Sequence, residues 1–115
     1  MSFDLRTSNA QDATSAPAAP GLPAVSKIES VFPNPFNPQT TVRLAMARAG
    51  AATVQVFDPR GRRVRTLVEG RVEAGLHDLV WDGIDDAGRP VSSGVYFVRA
   101  VHPDGVDRHR VSLVK

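Results

Sequence analysis

Three carboxylates stand close together at Asp82, Asp85 and Asp86, in W-D-G-I-D-D-A-G-R. Oxygen ligands of this kind are what Ca²⁺ takes, which makes the loop a weak calcium candidate. The D-x-x-D-D spacing lacks the alternate-position pattern and terminal Glu of an EF-hand loop. Asp also caps its own turn when Gly follows, and turn capping is the stronger expectation here. Nucleophilic chemistry is harder to assemble. Ser92 or Ser93 with His77 and Asp82 makes a triad on paper, but no G-x-S-x-G elbow exposes a serine. The expectation is a chain with no catalytic residues, no cofactor and no enzymatic activity. His77, His102 and His109 are scattered, without a paired His or a neighbouring Cys, and are expected at the surface in water. Arg60, Arg62, Arg63 and Arg65 crowd one turn. A basic hairpin suits phosphates, but Asp58 and Glu69 flank this one and no aromatic stands in it for stacking. Protection of a sheet edge by charge is the expected role, with no nucleic-acid partner.

The elements that position these residues are short. Val25–Val31 is the first strand pattern. Phe32–Pro38, F-P-N-P-F-N-P, is excluded from helix and central strand by its three prolines. Thr40–Met46 puts Val42, Leu44 and Met46 on one face, and Ala51–Phe57 does the same with Val54 and Val56. Asp58-Pro59-Arg60-Gly61 then supplies Pro for a type I turn and Gly61 for the left-handed residue of a hairpin. Val64–Val68 reads as the return strand and Gly70–Gly75 as a connector. His77–Trp81 brings Leu79 and Trp81 inward. Asp82-Gly83 and Gly88 set the next turns. Gly94–Val101 opens on Gly94 and separates Val95, Phe97 and Arg99 from Tyr96, Val98 and Ala100. Val106–Val114 closes the set. No helical period runs beyond one turn. About seven strands with regular turn signals predict an all-β antiparallel sandwich.

The chain has 115 residues, which suits one domain. No Cys is present, so disulfides and thiolate zinc sites are excluded. The net charge of +2 is small, and its basic residues are Arg except for Lys27 and Lys115. No run approaches the ~20 apolar residues of a membrane span. Residues 1–24 differ from the rest. Gln11–Pro23 is rich in Ala, Pro, Ser and Thr and reads as a semi-rigid linker. Ahead of it, Phe3 and Leu5 alternate with Asp4 and Arg6. That pattern fits the remnant of an upstream strand, plain disorder, or an N-terminal β-arm that adds to a sheet edge. The division expected is 1–24 arm and linker, 25–115 sandwich.

Three longer motifs come in order: F-P-N-P-F-N-P-Q-T-T-V-R-L, V-F-D-P-R-G-R-R-V-R-T-L and A-G-L-H-D-L-V-W-D-G-I-D-D-A-G-R-P-V-S-S-G-V-Y-F. From Val31 to Lys115 the chain resembles the Ig-like domain of the flagellar hook-capping family. It also resembles the C-terminal domains of many secreted bacterial proteins, which are similar to the type IX secretion sorting domain. The resemblance implies an Ig/fibronectin III-like sandwich without enzymatic activity, and structural roles only. Pro33, Asn34, Pro35, Phe36, Asn37 and Pro38 form the loop into the sandwich, Trp81 is the core anchor, and Gly94 starts the strand carrying Tyr96 and Phe97. The expected function is a C-terminal module for secretion, sorting or surface attachment of a bacterial extracellular protein. The alternatives are a hook-capping relative and a subunit of an extracellular filament joined through the β-arm. Partners are then proteins, namely export or attachment machinery or copies of the chain in a homopolymer. Carbohydrate binding is disfavoured, because most of the seven aromatics are expected on inward strand positions.

Overall fold

The computed structural model describes residues 22–115. Phe3, Leu5 and the proposed arm lie outside them. Seven strands follow: β1 Lys27–Phe32, β2 Thr40–Met46, β3 Gly50–Phe57, β4 Arg63–Val72, β5 Gly75–Trp81, β6 Gly94–His102 and β7 Gly105–Leu113. They form two antiparallel sheets, β1-β2-β5 and β4-β3-β6-β7. β4 pairs with β3 rather than β5, which gives three strands plus four, against the four plus three of an Ig constant domain. The architecture is an Ig-like β-sandwich.

Alternation builds the core. Val42, Leu44 and Met46 of β2 face Val54 and Val56 of β3, with Val98, Ala100 and Val111 beside them, all buried. Each of these Val, Leu and Met side chains contributes roughly 1.5–3 kcal/mol on burial. Trp81 is fully enclosed. Its ring lies 5.2 Å from Phe36 and 5.2 Å from Tyr96, an aromatic cluster that joins the first loop, the end of β5 and the start of β6.

Three expectations are corrected. β4 continues through Gly70 to Val72 where the sequence suggested a connector. Its register slips twice, between Val54/Gln55 and Val56/Phe57, so its inward positions do not alternate strictly and the pattern is hidden. Val64 nevertheless enters the core, and Leu67 and Val68 pack against it. His102 is not a surface histidine. It lies on the inner side of β6 with its side chain 1% exposed. Its Nε2 is 3.3 Å from Asp107 Oδ2, and its Nδ1 accepts the Asp104 N–H. Finally, the aromatics divide evenly among the described residues. Phe36, Trp81 and Tyr96 are buried, whereas Phe57 and Phe97 are half-buried on the outer face and Phe32 is 75% exposed.

Candidate docking surfaces

The polar residues singled out by sequence are distributed by two turns of the same design. In Asp58–Arg62, the Gly61 N–H donates to Asp58 O, and Asp58 Oδ1 accepts the N–H groups of Arg60 and Arg62. In Asp85–Arg89, the Gly88 N–H donates to Asp85 O, and Asp85 Oδ1 accepts the N–H groups of Ala87 and Arg89. Gly61 and Gly88 take φ of 86° and 84°, where a β-carbon is strained. The N–H bonds from Arg62 and Arg89 are the main reason that Asp58 and Asp85 titrate below the usual carboxylate range. The two turns face each other across a 380 Å³ cleft floored by Val64 and Tyr96. The Tyr96 hydroxyl donates to Ser92 O at 2.6 Å, and burial raises its pKa above the ordinary phenol value.

The remaining carboxylates of the calcium candidate go elsewhere. Asp86 Oδ1 accepts the Thr66 N–H, and the Asp86 N–H donates to Val64 O. Asp86 thereby ties the loop to the outer edge of β4. Its carboxylate also meets Arg63 at 3.5 Å and Arg65 at 4.0 Å. Asp82 is exposed in the turn after Trp81, where Gly83 takes φ of 75°. Among the described residues, no three His, Cys, Asp or Glu gather as metal ligands. The basic hairpin is largely neutralised within the domain, since Arg62 pairs with Asp58 at 3.4 Å and Arg63 and Arg65 share Asp86.

The paper triad does not assemble. His77 Nε2 sits 2.7 Å from Glu73 O, four residues along β5 from Trp81, about 13 Å at strand rise. Ser92 and Ser93 lie in the loop beyond Trp81, where Ser93 Oγ accepts the Lys115 N–H.

The proline-rich loop has a defined task. Phe36 forms a short parallel bridge with Leu113. Its N–H donates to Ser112 O, and its carbonyl accepts the Val114 N–H. Asn34 Oδ1 accepts the Ser112 N–H and its Nδ2 donates to Arg110 O. At the other end of β7, Asp104 and Asp107 accept the N–H groups of Ser26 and Ile28 at 2.7 Å each. The β1/β7 side of the sandwich is therefore closed by the Phe36 backbone bridge and by the side chains of Asn34, Asp104 and Asp107, a device that the sequence did not disclose.

The opposite side is open. A 290 Å³ groove runs between β4 and β5, lined by Leu44, Val68, Val72 and Leu79 with Arg71 and Glu73 at its lip. On the outer face of the smaller sheet, Phe32 and Val80 flank Thr41 in one row, and Val80 is 53% exposed.

Comparison with known proteins agrees with this architecture. The model of the FlgD Ig-like domain matches residues 36–105. The basal-body rod modification protein FlgD of Salmonella typhimurium is 37% identical over 57 residues, 50% of this chain and 25% of that protein. The same identity and coverage hold for FlgD of Salmonella typhi. The chain thus spans about a quarter of the length of the curated relatives it matches. Among solved structures, dimeric latent PorU from Porphyromonas gingivalis superposes with a TM-score of 0.63 at 22% identity, over 78% of this chain and 9% of that one. FlgD from Xanthomonas campestris gives 0.52 at 21% identity, over 76% and 64%. These two likenesses speak to fold. The family model, covering more than half of the chain, settles membership: the chain belongs to the FlgD Ig-like domain family.

Proposed function

We propose that this domain is a non-catalytic protein-docking module of a bacterial extracellular assembly, of the hook-capping type. One observation supports the non-catalytic part most directly. The polar groups of its motifs are occupied in holding the domain together, since Asp58, Asp85, Asp86, Asp104 and Asp107 all accept backbone N–H groups. What is left to the surroundings is shape, apolar surface and charge. The hook-capping part is supported by the family model and by the FlgD relatives. Secretion or surface attachment is the competing role that the sequence motifs suggest.

The test is removal of residues 25–115 from the gene in its own bacterium. Non-motile cells with defective hooks support hook capping. Motile cells in which the protein fails to reach the surface replace it with the sorting role. Normal motility and normal surface display overturn both.

A further inference from the structure

Charge on this domain is partitioned unevenly. Among the described residues, seven arginines lie within 4.0 Å of a carboxylate. Arg60, in the exposed turn after β3, and Arg99, Arg108 and Arg110 have no such partner among the described residues, and the last three stand on the outer face of the four-stranded sheet. Register places them together. Arg99 is directly opposite Arg108 across β6 and β7, and Phe97 is opposite Arg110. Phe57 is opposite Phe97 across β3 and β6. The Arg99 guanidinium lies 5.4 Å above the Phe57 ring and that of Arg108 5.6 Å above the Phe97 ring.

Two features argue that this face is built for a ligand. Like charges directly opposite on neighbouring strands destabilise a sheet, so an Arg99–Arg108 pair works against folding alone. Carboxylates that could neutralise the pair are engaged or distant. Asp58 is held in its turn by the N–H groups of Arg60 and Arg62, and Glu69 sits opposite Thr53 at the far strand. Second, each of these two guanidiniums rests on a phenyl ring, which restricts its rotamers before anything binds and leaves N–H edges toward solvent. A 280 Å³ depression is lined by Phe57, Phe97, Arg99 and Arg108, with Asp58, Pro59 and Gly61 of the neighbouring turn also on its wall.

We propose that this face docks an acidic segment of a partner protein, whose carboxylates enter between the paired guanidiniums. Guanidinium forks match carboxylates in a bidentate manner. A protein is favoured over a nucleic acid because the phenyl rings are already covered by guanidiniums and are not free to stack on bases. The same face carries Val106, 63% exposed, which suits aliphatic side chains of a polypeptide. The inference rests on the reading of the domain as a protein-docking module and adds the chemistry of its partner.

The experiment uses the full chain and a fluorescein-labelled poly-L-glutamate 20-mer, read by fluorescence anisotropy. The variant R99Q/R108Q/R110Q is compared with R43Q/R48Q/R71Q, which removes the same charge from paired positions. The expected result is binding that weakens at least about tenfold in the first variant and less than about twofold in the second, with binding falling as salt rises. The first variant should melt no lower than the native chain, because a repulsive pair has been relieved. Absence of binding by the native chain, equal weakening by both variants, or tighter binding of a 20-base-pair DNA or of heparin overturns the proposal. Such a failure leaves the motility result of the domain deletion untouched, so the two can fail separately.

Discussion

Trp81 joins two kinds of constraint in one side chain. Its ring meets Phe36 at a tilt and Tyr96 edge-on, and its indole N–H donates to Ile84 O at 3.1 Å. Trp81→Ala should cost about 3–5 kcal/mol in urea unfolding. Trp81→Phe should cost less, since a ring remains while the Ile84 carbonyl loses its donor. At Gly88 the cause is backbone alone. No atom lies within 4 Å of an added β-carbon, yet φ is +84°. Gly88→Ala should therefore cost roughly 1–2 kcal/mol, and the melting temperature measures it. These turn residues were legible in the sequence because the chemistry of D-x-x-G-R is local. The second copy at Asp85–Arg89 has the same hydrogen bonds as the first, though it joins no hairpin. His102 was not legible. Its burial depends on strand phase and on an acid five residues away in the next strand.

Among the elements, all seven strands begin within two residues of where alternation placed them, because one face of each is buried. The end of β4 and the surroundings of β7 are what alternation did not give. β4 outran its pattern, since two register slips spoil the period and Glu69-Gly70-Arg71 looks like a connector. β7 is an ordinary alternating strand, but what closes its edge lies far away in the sequence. The prolines of Phe32–Pro38 announced a break in regular structure. They carried no information about the strand that Phe36 would reach. Phe36→Ala should remove about 3–5 kcal/mol of stability. It should also expose the Val114 amide, which now donates to Phe36 O, to hydrogen exchange. Slow exchange of Val114 in that variant would show that the backbone bridge stands without the ring. The outward aromatics were hidden for a related reason: Phe57 and Phe97 obey the alternation but on the solvent side, where Arg99 and Arg108 cover them.

At the scale of the molecule, acid should be the solvent condition that reports the turns and edges. Asp58 and Asp85 are held low chiefly by backbone N–H donors, Asp104 by the Ser26 N–H and Asp78 by the Arg43 guanidinium. A carboxyl whose folded pKa is depressed contributes fully above its unfolded value, about 3.9. It loses that contribution as pH falls through the depressed value. The urea midpoint should be level from neutral pH to about 5 and fall below about 4. Asp104→Asn should fall less steeply over the same window. Tyr96 acts at the other end with the opposite sign. Burial, and then the charge of Asp58, raises its pKa, so its contribution is lost as pH climbs above about 10. The fold, its strand faces and most of its turns were readable, while the outward rows of Phe57, Phe97, Arg99 and Arg108 arise from pairings across strands.

The closed side of the sandwich also bears on how the domain responds to force. β1 and β7 run in the same direction, fastened by Ser26–Asp104 and Ile28–Asp107 at one end and by Phe36 between Ser112 and Val114 at the other. Tension applied at Leu22 and Lys115 pulls these two strands past each other lengthwise. The fastenings then share the strain together instead of opening one after another as a zipper would. Rupture under force depends on the barrier to unfolding rather than on equilibrium stability, and this arrangement raises that barrier along the axis on which a tether would be drawn.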